Sequence, residues 1–236
     1  DSLAPHYLRL AIDSDAEDVA LQLAQSVTNP KKALVGDNRN GEYLLRYPHL
    51  SKTIDKTVGG NVITYLTNSM GSNQLFDYLL KQKINANVPD VKGRYPIQKA
   101  LLKKNYKKAD RLLQENIDLS FGASSGGNAL HWLVQNKISV DYIDDFIAKR
   151  IDINGTDSHN QTPLSMAIES SMNTCVSTLV KHGADANMLV GEKISPLMSA
   201  IYKKSPLVSD LLNHCTNPNV QGRNGWTLLH FASKEN

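Results

Sequence analysis

The sequence predicts an all-α repeat solenoid, built from stacked helix–turn–helix units joined by short β-hairpin fingers. Three observations predict it. The first is the local grammar between Asp157 and Asn187. Thr162 offers a hydroxyl to cap a helix, Pro163 fits the first helical position, where no N–H is needed, and Gly183 supplies a left-handed residue to end a second helix. Between them, Cys175, Val176, Leu179 and Val180 fall at helical spacing and form one apolar stripe. The second observation is a period. Ala100, Leu133, Ala167, Ala200 and Ala232 close five similar motifs, separated by 33, 34, 33 and 32 residues. The third is a separate register mark ending at Asn87, Ser120, Asn154 and Asn187, which steps by 33, 34 and 33. Two marks that drift together define a repeat. A pair of helices this short cannot bury its apolar face without copies of itself.

In that register the motifs Thr162-Pro163-Leu164-Ser165-Met166-Ala167, Ser195-Pro196-Leu197-Met198-Ser199-Ala200 and Thr227-Leu228-Leu229-His230-Phe231-Ala232 line up. They resemble the Thr-Pro-Leu-His-x-Ala signature of the ankyrin-repeat family, whose period is about 33 residues. The resemblance holds from about Lys56 to the end of the chain and is specific as to fold. It implies that His131 and His230 hydrogen-bond one repeat's hairpin to the next, and that fingers and first helices together line an extended concave face. It also makes Asn187 a candidate modification site, because Leu179, Asp185 and Asn187 resemble the pattern that asparaginyl hydroxylases recognise in ankyrin repeats.

Taken in order, residues 1–27 read as a degenerate first repeat, with Leu8, Ala11 and Ile12 on one helical stripe and Val19, Leu21 and Leu23 on another. In residues 28–55 the period fails: Asn29-Pro30 and Asn40-Gly41 are turn signals, and Tyr43-Leu44-Leu45 is a short apolar piece. That segment is either a degenerate helix within an elongated finger or a dedicated binding insert. Regular repeats follow at 56–89, 90–122, 123–156, 157–189 and 190–221, with a partial repeat at 222–236, all in a single array of about six and a half repeats. The corner from Lys103 to Lys108 holds the one run of lysines and reads as a solvated turn. The first residue is Asp1 rather than Met, and the period stops inside a repeat, so the natural protein is expected to extend at both ends.

Composition excludes several function classes. With 41% hydrophobic and 21% charged residues and a formal net charge of +3, the 236-residue chain is neither disordered nor strongly cationic. No apolar run approaches the ~18 residues of a membrane span, and no signal-peptide pattern opens the chain. The pI of 8.7 and the single aromatic, Tyr106, inside the lysine run do not point to nucleic acid. Cys175 and Cys215 read as free thiols beside second helices, which suits a reducing cytoplasmic or nuclear compartment, or a host cytosol for a secreted effector. The seven histidines share no metal-ligand spacing, and no catalytic, phosphate-binding or cofactor motif is present. No catalytic, cofactor or metal site is therefore predicted, and the chain is read as a non-enzyme.

What remains is binding. The predicted function is a protein-interaction module, an adaptor or scaffold that holds a partner segment along the groove. The alternative is a substrate-targeting or regulatory domain of a larger enzyme or secreted effector. The resemblance sets Trp226 and Arg223 beside Tyr202 and Lys203, with Glu169, then Gln135 and Asn136, extending the row and Arg94 and Lys103 marking its basic middle. Aromatic residues flanked by cations favour an acidic and hydrophobic partner segment. Trp226 has a second reading, as a cover for the incomplete last repeat.

Overall fold

The computed structural model describes Gln22 and residues 62–67, 73–81, 83 and 85–234. Residues 1–27, read from the sequence as a degenerate first repeat, and the segment 28–55 lie outside the described residues, Gln22 excepted. The chain divides into two compact units, Asp1–Asp118 and Leu119–Asn236. In the first, helices α1 (Val62–Leu66) and α2 (Asn73–Lys81) are followed by α3 (Pro96–Leu102) and α4 (Tyr106–Leu113). The second unit holds α5 (Ala129–Gln135), α6 (Asp141–Ala148), α7 (Pro163–Glu169), α8 (Asn173–Lys181), α9 (Pro196–Tyr202), α10 (Val208–Asn213) and α11 (Leu228–Lys234). Within the first unit α1 packs on α3 and α2 on α4; within the second, α5 packs on α7, α7 on α9 and α9 on α11. First helices thus lie side by side, as a stack of like units requires.

Five first helices, α3, α5, α7, α9 and α11, start on one device. The residue at its N-cap leaves an N–H that the helix cannot satisfy, and the side chain three residues on reaches back to accept it. The acceptor is Gln98 Oε1 for Tyr95 at 2.9 Å, His131 Nδ1 for Asn128 at 3.1 Å, Ser165 Oγ for Thr162 at 2.9 Å, Met198 Sδ for Ser195 at 3.5 Å and His230 Nδ1 for Thr227 at 3.1 Å. Five different pairs of residues build the same start. Thr162 completes a reciprocal box, its hydroxyl accepting Ser165 N–H at 3.2 Å. Because His131 Nδ1 accepts, Nε2 carries the proton, and it donates to the carbonyl of Gln161 in the next finger at 2.9 Å.

The corner at the end of α3, α5, α7 and α9 is also repeated. The carbonyls of Ala100, Leu133, Ala167 and Ala200 accept the N–H groups of Asn105, Ile138, Met172 and Ser205, and the residue before each donor is left-handed. These are Schellman caps with Lys104, Lys137, Ser171 and Lys204 where glycine is usual. The residue that closes each motif is therefore the one whose carbonyl receives the returning chain. The alanines and Leu133 at this position are 0–2% exposed, so they also set how near neighbouring helices come.

The fingers are tighter than strands. They close on a few short-range backbone bonds, such as Asp157 N–H to Gln161 O at 2.9 Å and Asn160 N–H to Asp157 O at 3.0 Å. Among the described residues the only bridges are Ala123–Gly126 and Val190–Ile194. Too few residues separate the ends of a finger for a ladder to form. Backbone bonds lace one finger to the next in the second unit: Ser158 N–H to Ser125 O at 3.0 Å, Gly191 N–H to Asn160 O at 2.9 Å and Arg223 N–H to Lys193 O at 2.9 Å. The turns after the second helices are laced in the same direction, with Asn87 Oδ1 accepting Asp118 N–H and Asn154 Oδ1 accepting Asp185 N–H, each at 2.8 Å.

The lysine corner differs from expectation. Lys103, Lys104 and Lys107 are exposed, but Lys108 is 1% exposed. Its Nζ donates to the carbonyl of Leu66, at the end of α1, at 2.7 Å and lies 5.5 Å from the centre of the Phe76 ring. Lys108 shares a helical face with Leu112, one turn on, and that face is the buried one.

Three stability outcomes follow. Gly183 is left-handed with φ of 89°, and a Cβ built there meets nothing within 4 Å, whereas Arg150 bears the same strain at the matching position with φ of 64°. In urea denaturation Gly183→Ala is expected to cost about 1 kcal/mol and Arg150→Gly to gain a similar amount, because both changes act on the backbone alone. Ala167→Leu, at a fully buried position on α7, is expected to cost about 1–3 kcal/mol by overpacking. A midpoint equal to that of the parent would place α7 elsewhere.

Candidate partner-binding face

A geometric rule governs the surface formed by fingers and first helices. The residue just before an N-cap faces the residue eight positions later, in the last turn of the same repeat's first helix. Gln161 Nε2 donates to Glu169 Oε2 at 3.0 Å, and Trp226 carries Lys234 Nζ over its ring at 5.2 Å. In the preceding repeat the finger residue Ser124 does the same work, its N–H donating to Gln135 Oε1 at 2.9 Å while Gln135 Nε2 donates to Ser124 Oγ. Fingers are thus engaged by their own helices, and much of the polarity expected to meet a partner is already paired.

The predicted residues sort accordingly. Lys203 donates from Nζ to the backbone carbonyl of Glu169 at 3.0 Å, joining successive repeats and capping the end of α7. Asn136 donates to Trp132 O at 2.9 Å. Arg223 is paired with Glu192 of the neighbouring finger. Trp226 is half-buried, stacked on His230 at 6.3 Å and edge-on to Phe231 at 5.4 Å. These ring contacts are with α11, the first helix of its own repeat. Tyr202 stands apart: it is 58% exposed at the end of α9. Arg94 and Lys103 belong to the first unit. Lys103 is exposed, and Arg94 forms a two-nitrogen contact with Asp90 Oδ2 at 3.0 and 2.8 Å.

Other residues find definite places. Trp132 is buried and packs edge-on against Phe121 at 5.4 Å, so it is a stacking residue. Asn187 is 6% exposed, its Oδ1 accepting from Thr216 Oγ1 at 3.1 Å and Thr216 N–H at 2.9 Å while its Nδ2 donates to Asn217 O at 3.2 Å. An enzyme acting on Asn187 would have to wait for local opening. Cys175 is buried and burial pushes its thiol up to about 11, which makes it a poor nucleophile. Among the described residues no group of three or more His, Cys, Asp and Glu could hold a metal ion. No described helix is long and apolar enough to cross a membrane.

Sequence reasoning missed a buried charge cluster in the first unit, formed by Asp90, Arg94 and Lys99. The signal was present. Lys99 occupies the x position of the repeat motif, where the other repeats carry Trp132, Met166, Ser199 and Phe231. A charge at that place has to be answered in space.

The geometry defines a class: a helix–corner–helix array whose fingers are laced by backbone bonds. Comparison with known proteins gives it a name. The chain is 26% identical over 181 residues to an ankyrin repeat protein of Acanthamoeba polyphaga mimivirus, covering 73% of this chain and 24% of that protein. This chain thus spans about a quarter of the length of that relative. In structure it is similar to the crystallised ankyrin repeat domain of Bcl-3, a member of the IkappaB protein family, with a TM-score of 0.66 at 21% identity, covering 96% of this chain and 93% of the other. No family model matches the chain. By its period, caps and structure, the chain has the ankyrin-repeat fold. The fold is in general a protein–protein interaction module and in general not catalytic.

Asp157 gives the finger of the fifth repeat a pH dependence. Burial alone would raise its pKa, but the Gln161 N–H, the Ser125 hydroxyl and the His159 N–H hold the carboxyl below its ordinary value. A folded pKa below the unfolded one means stability that is present above pH ~4 and is lost as pH falls through the folded value. Asp157→Ala is expected to lower stability at pH 7 and to lose less than the parent on going to pH 3. Equal losses in urea titrations at the two pH values would show that the carboxylate does not hold the finger.

Proposed function

We propose that the chain is a non-catalytic recognition module, an adaptor or scaffold that holds a segment of a partner protein against its fingers and first helices. The observation that carries this reading is the exposure of Tyr202. Gln135 and Glu169, at matching positions, are bonded to their own fingers, whereas the Tyr202 ring has no such engagement and no core role. An aromatic ring held on a packed helix loses little entropy on contact and has much apolar area to bury. Lys203 follows it directly, and the pair suits a partner that carries both carboxylates and apolar side chains. Glu169, Gln135 and Asn136 extend the contact in the same unit, and Arg94 and Lys103 are candidate contacts of the first unit by itself. In this reading Trp226 and Arg223 brace the last finger.

Two free thiols support a reducing cytoplasmic or nuclear location, or a host cytosol if the protein is exported. A second reading is supported by the length of the mimivirus relative, of which this chain spans 24%. An array of this kind can serve as the targeting or regulatory part of a larger enzyme or effector.

The test uses a partner captured on the full chain and identified by mass spectrometry. Tyr202→Ala is expected to weaken its binding by roughly 2 kcal/mol, with the melting temperature unchanged. Unchanged affinity would remove this face from the second unit's binding surface.

A further inference from the structure

The Asp90 cluster contains more charge than its finger needs. Asp90 Oδ1 accepts the N–H groups of Lys92 and Arg94, each at 2.9 Å, and Oδ2 takes the Arg94 guanidinium. Lys99 Nζ stands 3.6 Å from the same Oδ2, on a side chain 3% exposed. Among the described residues no acceptor lies within hydrogen-bond reach of that amine, although an ammonium carries three donors. Burial pulls the Lys99 pKa below the ordinary lysine value, with Asp90 opposing the shift and Arg94 and Lys103 adding to it. Two cations therefore share one carboxylate that is already fully used.

The fifth repeat provides a control within the same chain. Asp157 stands at the position of Asp90, and its Oδ1 accepts the N–H groups of His159 and Gln161, each at 2.9 Å. That finger is built with Gln161 in place of Arg94 and Met166 in place of Lys99. Neither cation is needed to shape the turn. A buried, poorly satisfied charge is costly, so its presence calls for another use.

We propose that Arg94 is a docking cation for a carboxylate of the partner segment, with Lys99 held beneath it as the replacement counter-ion of Asp90. Arg94 is the movable member, its side chain 44% exposed, while Asp90 and Lys99 are buried. When Arg94 turns outward to the arriving carboxylate, Lys99 closes the remaining distance to Asp90 Oδ2. Each cation then has its own carboxylate, and no buried charge is left unpaired. Val91, 56% exposed in the same finger, and Leu102, 41% exposed one turn beyond Lys99, provide apolar rims. The ligand is thus an Asp or Glu flanked by apolar residues. This deepens the recognition reading and rests on it.

The experiment pans a displayed random-peptide library on the full chain, on Arg94→Gln and on Lys99→Met. Both variants import the residue found at the matching place in the fifth repeat, so both are expected to melt no lower than the parent. Peptides selected by the parent should share one acidic residue between apolar ones. Changing that residue to its amide, or using either variant, should weaken binding about tenfold, the loss of one charge-assisted hydrogen bond. Lys99 is a positioning residue, and its readout is the Arg94 Nε–H resonance, which should move on peptide addition in the parent and much less in Lys99→Met. Four outcomes overturn the proposal. Selection of peptides with no shared acid, or of the same peptides by the parent and both variants, removes this docking site and leaves the module reading intact. Tenfold tighter binding when phosphoserine replaces the acid would make the site a phosphate reader instead. Failure to select any peptide would remove the proposal together with the module reading.

Discussion

A helix that begins where a hairpin ends has an N-cap amide that nothing in the helix can satisfy, and the rest of this structure depends on how that amide is met. One turn inward, a side chain reaches back and accepts it: Gln98, His131, Ser165, Met198 and His230 in five successive repeats. The bond fixes the angle at which the finger leaves its helix. With the angle set, the last finger residue meets the last turn of its own helix, as Gln161 meets Glu169. With the fingers aligned, each can donate a backbone N–H to the one before, as Ser158, Gly191 and Arg223 do. Capping chemistry of about 1 kcal/mol per site is thereby repeated into an architecture.

How much of this could be read from the sequence depended on range. The start of α7 was legible because Thr162 and Pro163 act on their own backbone, and so was Gly183, whose conformation is a local matter. The period was legible because the closing residues Ala100, Leu133, Ala167 and Ala200 all sit at the same buried corner. The left-handed corners at Lys104, Lys137, Ser171 and Lys204 were not. No glycine marks them, and the conformation is imposed by the return of the chain into a second helix. Lys108 and Lys99 were hidden for another reason. A charge can be buried when a carbonyl or carboxylate waits for it in space, and Leu66 O and Asp90 are distant or unremarkable in the sequence. The contacts of Trp226 with His230, Phe231 and Lys234 were not read either, because they depend on how the finger folds back onto its own helix.

This internal pairing bears on function. A surface whose amides, carboxylates and guanidinium groups are largely engaged with one another keeps its shape before a partner arrives, which lowers the ordering cost of binding. Recognition then falls to what the lacing leaves over: an exposed tyrosine in the second unit and a surplus cation in the first. Both stand at positions where sister repeats do without them, Gln135 and Glu169 replacing the ring and Gln161 and Met166 replacing the cations. Repeats that share one scaffold differ in such residues, and there a binding preference can be written without disturbing the fold.

The central claim is that caps and finger lacing are permanent elements of the folded array. Native-state hydrogen exchange tests it most directly, at the N-cap amides of Asn128 and Thr162 and the lacing amides of Ser158, Gly191 and Arg223. The account predicts that these amides exchange with the slow group of the second unit's first helices, through large-scale opening. Exchange of these amides at the rate of exposed loops, with the helices still protected, would contradict it.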